Sequence, residues 1–356
     1  MTTWERLADL PLVVDGYTLS EQARRISPEF ERVTHTIALR GDGEAGLGED
    51  VTYDPDEQRA HAADGPGLPL TGSFTLASFS ARLGECDLFG GREPWLRAFL
   101  DYRRWAYESA ALDLALRQAG RSLAEALERE PRPVRFVASP RLGTPPDGGV
   151  IARRLERYPG LEFKLDADPS WDDDLLATLA DTRAVAVIDL KGAYRGTPVD
   201  VDTDPELYAR VAAALPGAWL EDPDLTVPEA DEALRPYRDR ITWDAPIHSV
   251  QDVLDLPFAP RTLNVKPSRF GSLERLFDFY DHCEANGIGL YGGGQSELGV
   301  GRGQIQVLAA LLHPDGSNDI APAGYDWLEF PPGLDPSPLD PALEPTGFRR
   351  RGPAPD

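Results

Sequence analysis

Residues 185–247 read VAVIDLKGAYRGTPVDVDTDPELYARVAAALPGAWLEDPDLTVPEADEALRPYRDRITWDAPI. Three short apolar, β-favouring runs stand out: Val185–Leu190, Ala218–Glu221 and Ile241–Asp244. Two stretches with helical spacing, Pro205–Leu215 and Pro228–Tyr237, separate them. Strand, helix, strand at this spacing is the βα unit of a parallel sheet. The rhythm continues outward in both directions. Upstream lie Val134–Ser139 and Leu161–Asp166, with helical stretches Ile151–Tyr158 and Asp172–Leu179. Downstream lie Thr262–Lys266, Gly289–Tyr291 and Asp319–Ala321, with Ser249–Leu256, Leu273–Asn286 and Val300–Leu312 between or around them. Eight strands and seven helices predict an α/β fold, a modified (β/α)7β barrel. An open, doubly wound sheet shows the same alternation. No G-x-G-x-x-G opens the first unit, which argues against a dinucleotide domain.

The first third has a different grammar. Val33–Leu39 is an alternating β-rich run, and the acidic, glycine-containing stretch 41–50 after it reads as turn-rich. Residues 54–72 are polar with several Pro and Gly and predict a mobile loop. Trp95 to Leu127 carries apolar residues at helical spacing, broken by Gly120, which predicts two helices. Pro131 and Pro133 mark a boundary. The chain therefore divides into an α+β domain over 1–130, a barrel over 131–330 and a Pro-rich arm over 331–356. The arm either packs across the first domain or frays.

The formal net charge is −24, which disfavours nucleic acid and anionic membrane surfaces as partners. No run of 18 apolar residues is present, the first twelve residues lack a signal-peptide core, and the two cysteines, Cys86 and Cys283, form no metal or redox pattern. The expected setting is cytoplasmic, with room for a homo-oligomer. Of 36 basic residues only three are lysine: Lys164, Lys191 and Lys266. Arginine stays protonated, whereas lysine can give up a proton in a dry pocket. Lysines kept against such a bias are candidates for chemistry.

Barrel enzymes carry their function at the C-terminal ends of the strands. All three lysines fall there, at the ends of strands two, three and six. Asp189, Glu221 and Asp244 end strands three, four and five. Three carboxylates on one rim need a cation, and an all-oxygen set suits Mg²⁺. Asp166 stands beside Lys164 at the end of strand two. His248, four residues after Asp244, and the run Gly292–Gly294 with Gln295 and Glu297 are rim candidates for substrate contact. Gly293 and its neighbours offer backbone N–H groups to a carboxylate.

In this order these segments resemble the enolase superfamily, nearest its muconate-lactonizing and o-succinylbenzoate synthase branch. The resembling pieces are GEAGLGED (43–50) and YESAALDLALRQAGRSLAEAL (107–127) in the first domain. In the barrel they are FKLD (163–166), VIDLKGAY (187–194), WLEDPD (219–224), ITWDAPI (241–247), LNVKPSRFGSL (263–273) and GGGQSELGVGRGQ (292–304). The resemblance implies that residues 1–130 form a capping domain. It implies Mg²⁺ on Asp189, Glu221 and Asp244, Lys266 as acid/base, and Lys164 as the first lysine of a K-x-K pair. The implied chemistry is removal of the proton α to a carboxylate of a small molecule, through an enediolate. Three positions depart from the family pattern. Asp166 replaces the second lysine of the pair, unless a one-slot shift makes Lys164 that residue. Lys191 replaces the asparagine two residues after the first ligand. Ala245 replaces the acid after the third.

A single lysine base with a cation favours a lyase or cycloisomerase. A racemase or epimerase needs acid/base groups on both faces. Lys191 pairs with Asp166 or holds a second anionic group of the substrate. Two further readings use the same residues: a Schiff-base aldolase through Lys266 or Lys164, and a metal-binding barrel that has lost a base.

Overall fold

The computed structural model describes residues 1–26, 30–194, 201–327 and 329–351. The first domain begins with β1 (Pro11–Val14), β2 (Gly16–Arg25), β3 (Glu31–Gly41) and β4 (Glu44–Asp50). It continues through α1 (Pro55–Asp64), β5 (Gly72–Thr75), α2 (Leu76–Gly84), α3 (Ala98–Gln118) and α4 (Leu123–Leu127). Strands β2, β3 and β4 form an antiparallel meander, and β1 pairs with β5.

Two expectations fail here. The stretch 41–50 is a tight turn at Asp42-Gly43 followed by strand β4, because Leu47 and its neighbours pair with Ile37 to Leu39. The loop expected over 54–72 contains helix α1. Asp54 caps it by accepting from the N–H groups of Asp56 and Glu57, and Pro55 takes the first helical position. The break at Gly120 is present, at φ +63° between α3 and α4.

The glycines of β4 have a packing reason. A Cβ at Gly48 would stand 2.0 Å from the carbonyl oxygen of Ala106, and one at Gly46 would stand 2.2 Å from that of Ala110. The strand lies directly on the backbone of α3, a fit only glycine permits.

The second part alternates strand and helix. It runs β6 (Val137–Ala138), α5 (Gly149–Arg157), β7 (Glu162–Asp166), α6 (Asp173–Thr182), β8 (Val185–Asp189) and α7 (Pro205–Ala214). Then come β9 (Trp219–Glu221), α8 (Pro228–Leu234), β10 (Ile241–Thr242) and α9 (Val250–Leu254). The last are β11 (Thr262–Val265), α10 (Leu273–Ala285), β12 (Gly289–Gly292) and α11 (Val300–Leu312). Asp172, Asp204, Ser249 and Ser272 cap four of these helices by accepting first-turn N–H groups.

Strands β6 to β10 form one parallel sheet in sequential order, and β11 pairs in parallel with β12. Hydrogen bonds close the ring. Asn264 N donates to Trp243 O (3.0 Å), Gly293 N to Val265 O (3.0 Å), Asp319 N to Gly292 O (2.7 Å) and Val137 N to Asn318 O (2.8 Å). Closure excludes the open doubly wound sheet. The eighth strand expected at Asp319–Ala321 is reduced to single bridges at Asn318 and Asp319. Pro322, which has no N–H, follows at once.

The arm packs. Phe348 is buried, its N–H donating to Asp113 Oδ1 (2.7 Å), and Leu339 exchanges backbone bonds with Val134. Among the described residues no helix is long and apolar enough to cross a membrane.

Two measurements probe this packing. Gly48→Ala forces β4 off α3, and an overpacked contact of this kind costs about 1–3 kcal/mol. Its urea midpoint should fall accordingly, and an unchanged midpoint would refute the close approach. The second probe is pH. Burial, and then the Arg103 cation, pushes the pKa of His61 from 6.5 to about 4. Burial also brings His313 to about 4. The unfolded chain therefore takes up these protons first as pH falls. The stabilisation is whole above about pH 6.5 and is lost toward pH 4, on the order of 3 kcal/mol for each histidine. Unfolding at pH 7.5 and 4.5 should show this loss, and His61→Phe should make it shallower.

Candidate active site

The C-terminal ends of the strands deliver one cluster of charged groups. Lys164 on β7, Asp189 at the end of β8, and Glu221 and Asp222 at the end of β9 are all buried. Asp244 follows β10, and Lys266 follows β11. Every one of the chain's three lysines meets a buried carboxylate there. The Lys164 ammonium donates to Glu221 and lies 3.6 Å from Asp189 Oδ2 and 3.9 Å from Asp319 Oδ2. Lys191 Nζ is 2.5 Å from Asp189 Oδ2 and 3.1 Å from Asp166 Oδ1. Lys266 Nζ is 2.8 Å from Asp244 Oδ2.

The backbone shapes this cluster. Lys191 and Asp222 sit at φ +55° and +49°, the left-handed region that non-glycine residues seldom adopt. At Lys191 the turn places both its N–H (2.9 Å) and its ammonium on the carboxylate of Asp189. At Asp222 it aims the side chain across at β10, where the carboxylate accepts from Asp244 N (2.8 Å) and Ala245 N (2.9 Å). Asp222 thus holds the backbone that carries Asp244.

Several partners were not singled out from the sequence. Arg269, buried, donates to Asp244 Oδ1 (2.6 Å) and to its carbonyl. The Tyr194 hydroxyl donates to Asp244 Oδ2 (2.9 Å). Asn264 Nδ2 (3.2 Å) and the Tyr291 hydroxyl donate to Glu221 Oε2. Arg269 and Asn264 stood inside the motif LNVKPSRFGSL and Tyr194 at the end of VIDLKGAY, while Tyr291 stood in none. Tyr291 is three strands away from Glu221 in sequence order, and no local pattern links them.

Electrostatics separate the carboxylates. Burial, together with the neighbouring carboxylates, raises Glu221 and Asp222 above their ordinary range. Burial opposes ionisation of Asp244 too, but Arg269 and Lys266 outweigh it and hold that group low. Burial works against the charge of Lys164, yet Glu221 and Asp189 hold its pKa well above the ordinary value. Carboxylates pushed up in this way favour added positive charge. Asp189, Glu221 and Asp222 each offer an oxygen, all within 4.8 Å of one another, a spacing that suits a metal ion. That set shares two members with the expected Asp189, Glu221 and Asp244. The oxygens of Asp244 are instead occupied by Lys266, Tyr194 and Arg269.

The expected substrate contacts hold the lip together in this conformation. Both ring nitrogens of His248 face carbonyls, those of Arg269 and Ala245 (3.1 Å each). A Cβ at Gly293 would stand 2.7 Å from Lys266 Cε, so glycine there lets Lys266 lie against the backbone. Gln295 donates through Nε2 to the Tyr102 hydroxyl (2.9 Å) on α3. Glu297 accepts from Gln295 N (2.5 Å) and pairs with Arg302 (3.2 Å). Asp166 is exposed at the mouth.

The model of the C-terminal half of a family described as "Domain of unknown function (DUF8230) C-terminal domain" matches residues 130–327. The chain belongs to the DUF8230 family. Its N-terminal model matches residues 5–126. This DUF8230 chain is 29% identical to the o-succinylbenzoate synthase of Geobacillus stearothermophilus over 234 residues, 62% of this chain and 59% of that protein. It thus spans about three-fifths of that relative's length. Among solved structures it resembles a member of the enolase superfamily from Listeria innocua. The TM-score is 0.66 at 19% identity, over 90% of this chain and 88% of that one. It also resembles a dipeptide epimerase from Methylococcus capsulatus complexed with Mg ion, with TM-score 0.64 at 20% identity over 90% and 92% of the two chains. The fold of this DUF8230 member is therefore the enolase-superfamily fold, as its motifs suggested.

If Asp222 positions Asp244, then Asp222→Ala leaves one buried and one part-buried N–H group without acceptors. Loss of such bonds costs about 2–4 kcal/mol. Chemical denaturation should register that loss, whereas a metal ligand with no positioning role would leave the apo-protein as stable as before or more so.

Proposed function

We propose that this chain is a Mg²⁺-dependent enzyme that removes the proton α to a carboxylate of a small molecule, of the lyase or cycloisomerase type. The observation that carries the reading is the meeting of all three lysines with buried carboxylates at one end of a closed parallel barrel. In this reading residues 1–130 cap the site, 131–330 form the catalytic barrel, and 331–356 form a bracing arm. The absence of a membrane-crossing helix among the described residues is compatible with a cytoplasmic setting.

Asp189, Glu221 and Asp244 hold the metal, with Asp222 fixing the third. A Mg²⁺ ion held there would supply positive charge to the substrate carboxylate as the α-proton leaves. Lys266, tethered to Asp244 and backed by Gly293, is the acid/base group. Lys164, wedged among Glu221, Asp189 and Asp319, is a fixed cation. On that side of the barrel Asp166 occupies the place of a second lysine, and Lys191 brings an ammonium to it from β8. The positive charge stays at this corner, but its carrier is clamped between Asp166 and Asp189. With Lys266 as the base, one face of the substrate is served. This favours elimination or ring closure over racemisation. The likeness to o-succinylbenzoate synthase agrees with that choice.

The test is hydrogen–deuterium exchange at the α-carbon across acid sugars, dipeptides and aryl carboxylates, together with an o-succinylbenzoate synthase assay. Exchange should require Mg²⁺ and stop on chelation. A protein stripped of metal that exchanges at the full rate would refute the proposal. Mg²⁺ should also raise the melting temperature, by about 2.7 kcal/mol of stability at a hundred times its Kd. Asp189→Asn and Asp244→Asn should abolish that rise.

Lys266→Arg keeps the charge and loses an exchangeable base. Turnover should fall far below a tenth, a change of more than about 1.4 kcal/mol in the barrier. A variant that keeps more than that would reassign Lys266 as an electrostatic aid.

A further inference from the structure

Small barrels are filled with side chains, and the N-terminal face of the strands ordinarily serves stability alone. Here that face holds a cleft of about 500 Å³, within the range of small-molecule sites. Its floor is Tyr291, buried inside the barrel, with Trp219 at the start of β9 and the Tyr280 and His313 pair beside it. Tyr280 and His313 stack at 5.8 Å, and their polar atoms are paired (3.1 Å). The cleft lies at the opposite end from the lysine–carboxylate cluster. Tyr291 links the two: it lines the cleft, and its hydroxyl donates to Glu221.

The rim is basic. Arg129, Arg132 and Arg135 line it, three residues apart, against Glu284 and Asp315. Arg135 spends its fork on Glu162. Arg129 and Arg132 each meet one carboxylate through a single guanidinium nitrogen, Glu284 at 2.6 Å and Asp315 at 2.8 Å. The other donors of both forks are uncommitted among the described contacts. A guanidinium fork matches an oxyanion in two bonds, and aromatic faces match a ring.

We propose that this cleft is a second small-molecule site, for a compact anion that carries a single aromatic or alicyclic ring. The oxyanion engages Arg129 and Arg132, and the ring lies on Trp219, the partly exposed aromatic of the lining. A phosphate ester and a carboxylate share this chemistry. The proposal does not depend on the reaction at the other end of the barrel.

Calorimetric titration of the full chain with phenyl phosphate and with benzoate tests it. One saturable site is expected for at least one of them, and the stronger ligand names the oxyanion. Inorganic phosphate and phenol should each bind about tenfold more weakly, because each offers half of the match. The double variant Arg129→Ala/Arg132→Ala should weaken binding about tenfold or more, while Lys266→Ala at the mouth should leave it unchanged. Tryptophan emission should respond to the ligand in the native protein and not in Trp219→Phe, a readout that stands even if the arginine variant folds poorly. Absence of saturable binding, unchanged affinity in the arginine variant, or loss in Lys266→Ala would each overturn the proposal.

Discussion

Four carboxylates, Asp189, Glu221, Asp222 and Asp244, are buried together at the end of three adjacent strands. Unopposed, they would not remain ionised, because burial and mutual repulsion both favour protonation. The rest of the site answers this constraint. Lys164, Lys191, Lys266 and Arg269 each bring a cation to one of them, and the Asn264 amide and the Tyr194 and Tyr291 hydroxyls add donors. Asp222 is the exception: its oxygens are taken by backbone N–H groups, so its charge organises the chain itself. The site is therefore nearly balanced in charge by its own side chains. A divalent ion entering it competes with tethered ammonium groups, above all Lys191 on Asp189.

A second polar device joins the cap to the barrel. Arg32 on β3 is fully buried and donates only to carbonyls in its described bonds: Val33, Val51 and Thr52 in the cap, Gln295 and Ser296 on the barrel lip. Glu49 on β4 crosses in the same direction. It accepts from the N–H groups of Leu298, Gly299 and Gly301 at the start of α11, where a carboxylate meets the positive helix end. Burial and the nearby Glu297 raise its pKa, so the cap depends on those N–H groups to keep it charged. The two residues place the glycine-rich lip 292–296 against the cap, and Gly293 in turn admits Lys266. The geometry around Lys266 is thus set partly by residues more than two hundred positions away.

The βα alternation was legible because each buried strand of a parallel barrel is a short apolar run, and each helix has one buried stripe. The acids and lysines at strand ends were legible for the same reason: they break an apolar pattern. Elements whose signal is a local hydrogen bond were not. Helix α1 has no apolar side chain larger than alanine apart from Pro55 and rests on the Asp54 cap, so its composition reads as loop. Strand β4 exposes glycines to a periodicity that counts side chains, yet those glycines are its packing surface on α3.

Sequence alone determined the fold class, the rim on which the charged groups gather, and the three lysines as the residues to watch. These follow from periodicity and composition, which act along the chain. Tertiary structure alone decided which charges pair. Asp166 and Lys191 lie on different strands, Tyr291 reaches Glu221 through the barrel interior, and Arg269 reaches Asp244 from beyond the next strand. Such pairings depend on which strands stand side by side, on two left-handed backbone turns and on the loss of water around each group. Distance and dielectric are properties of the folded state, and no local pattern encodes them.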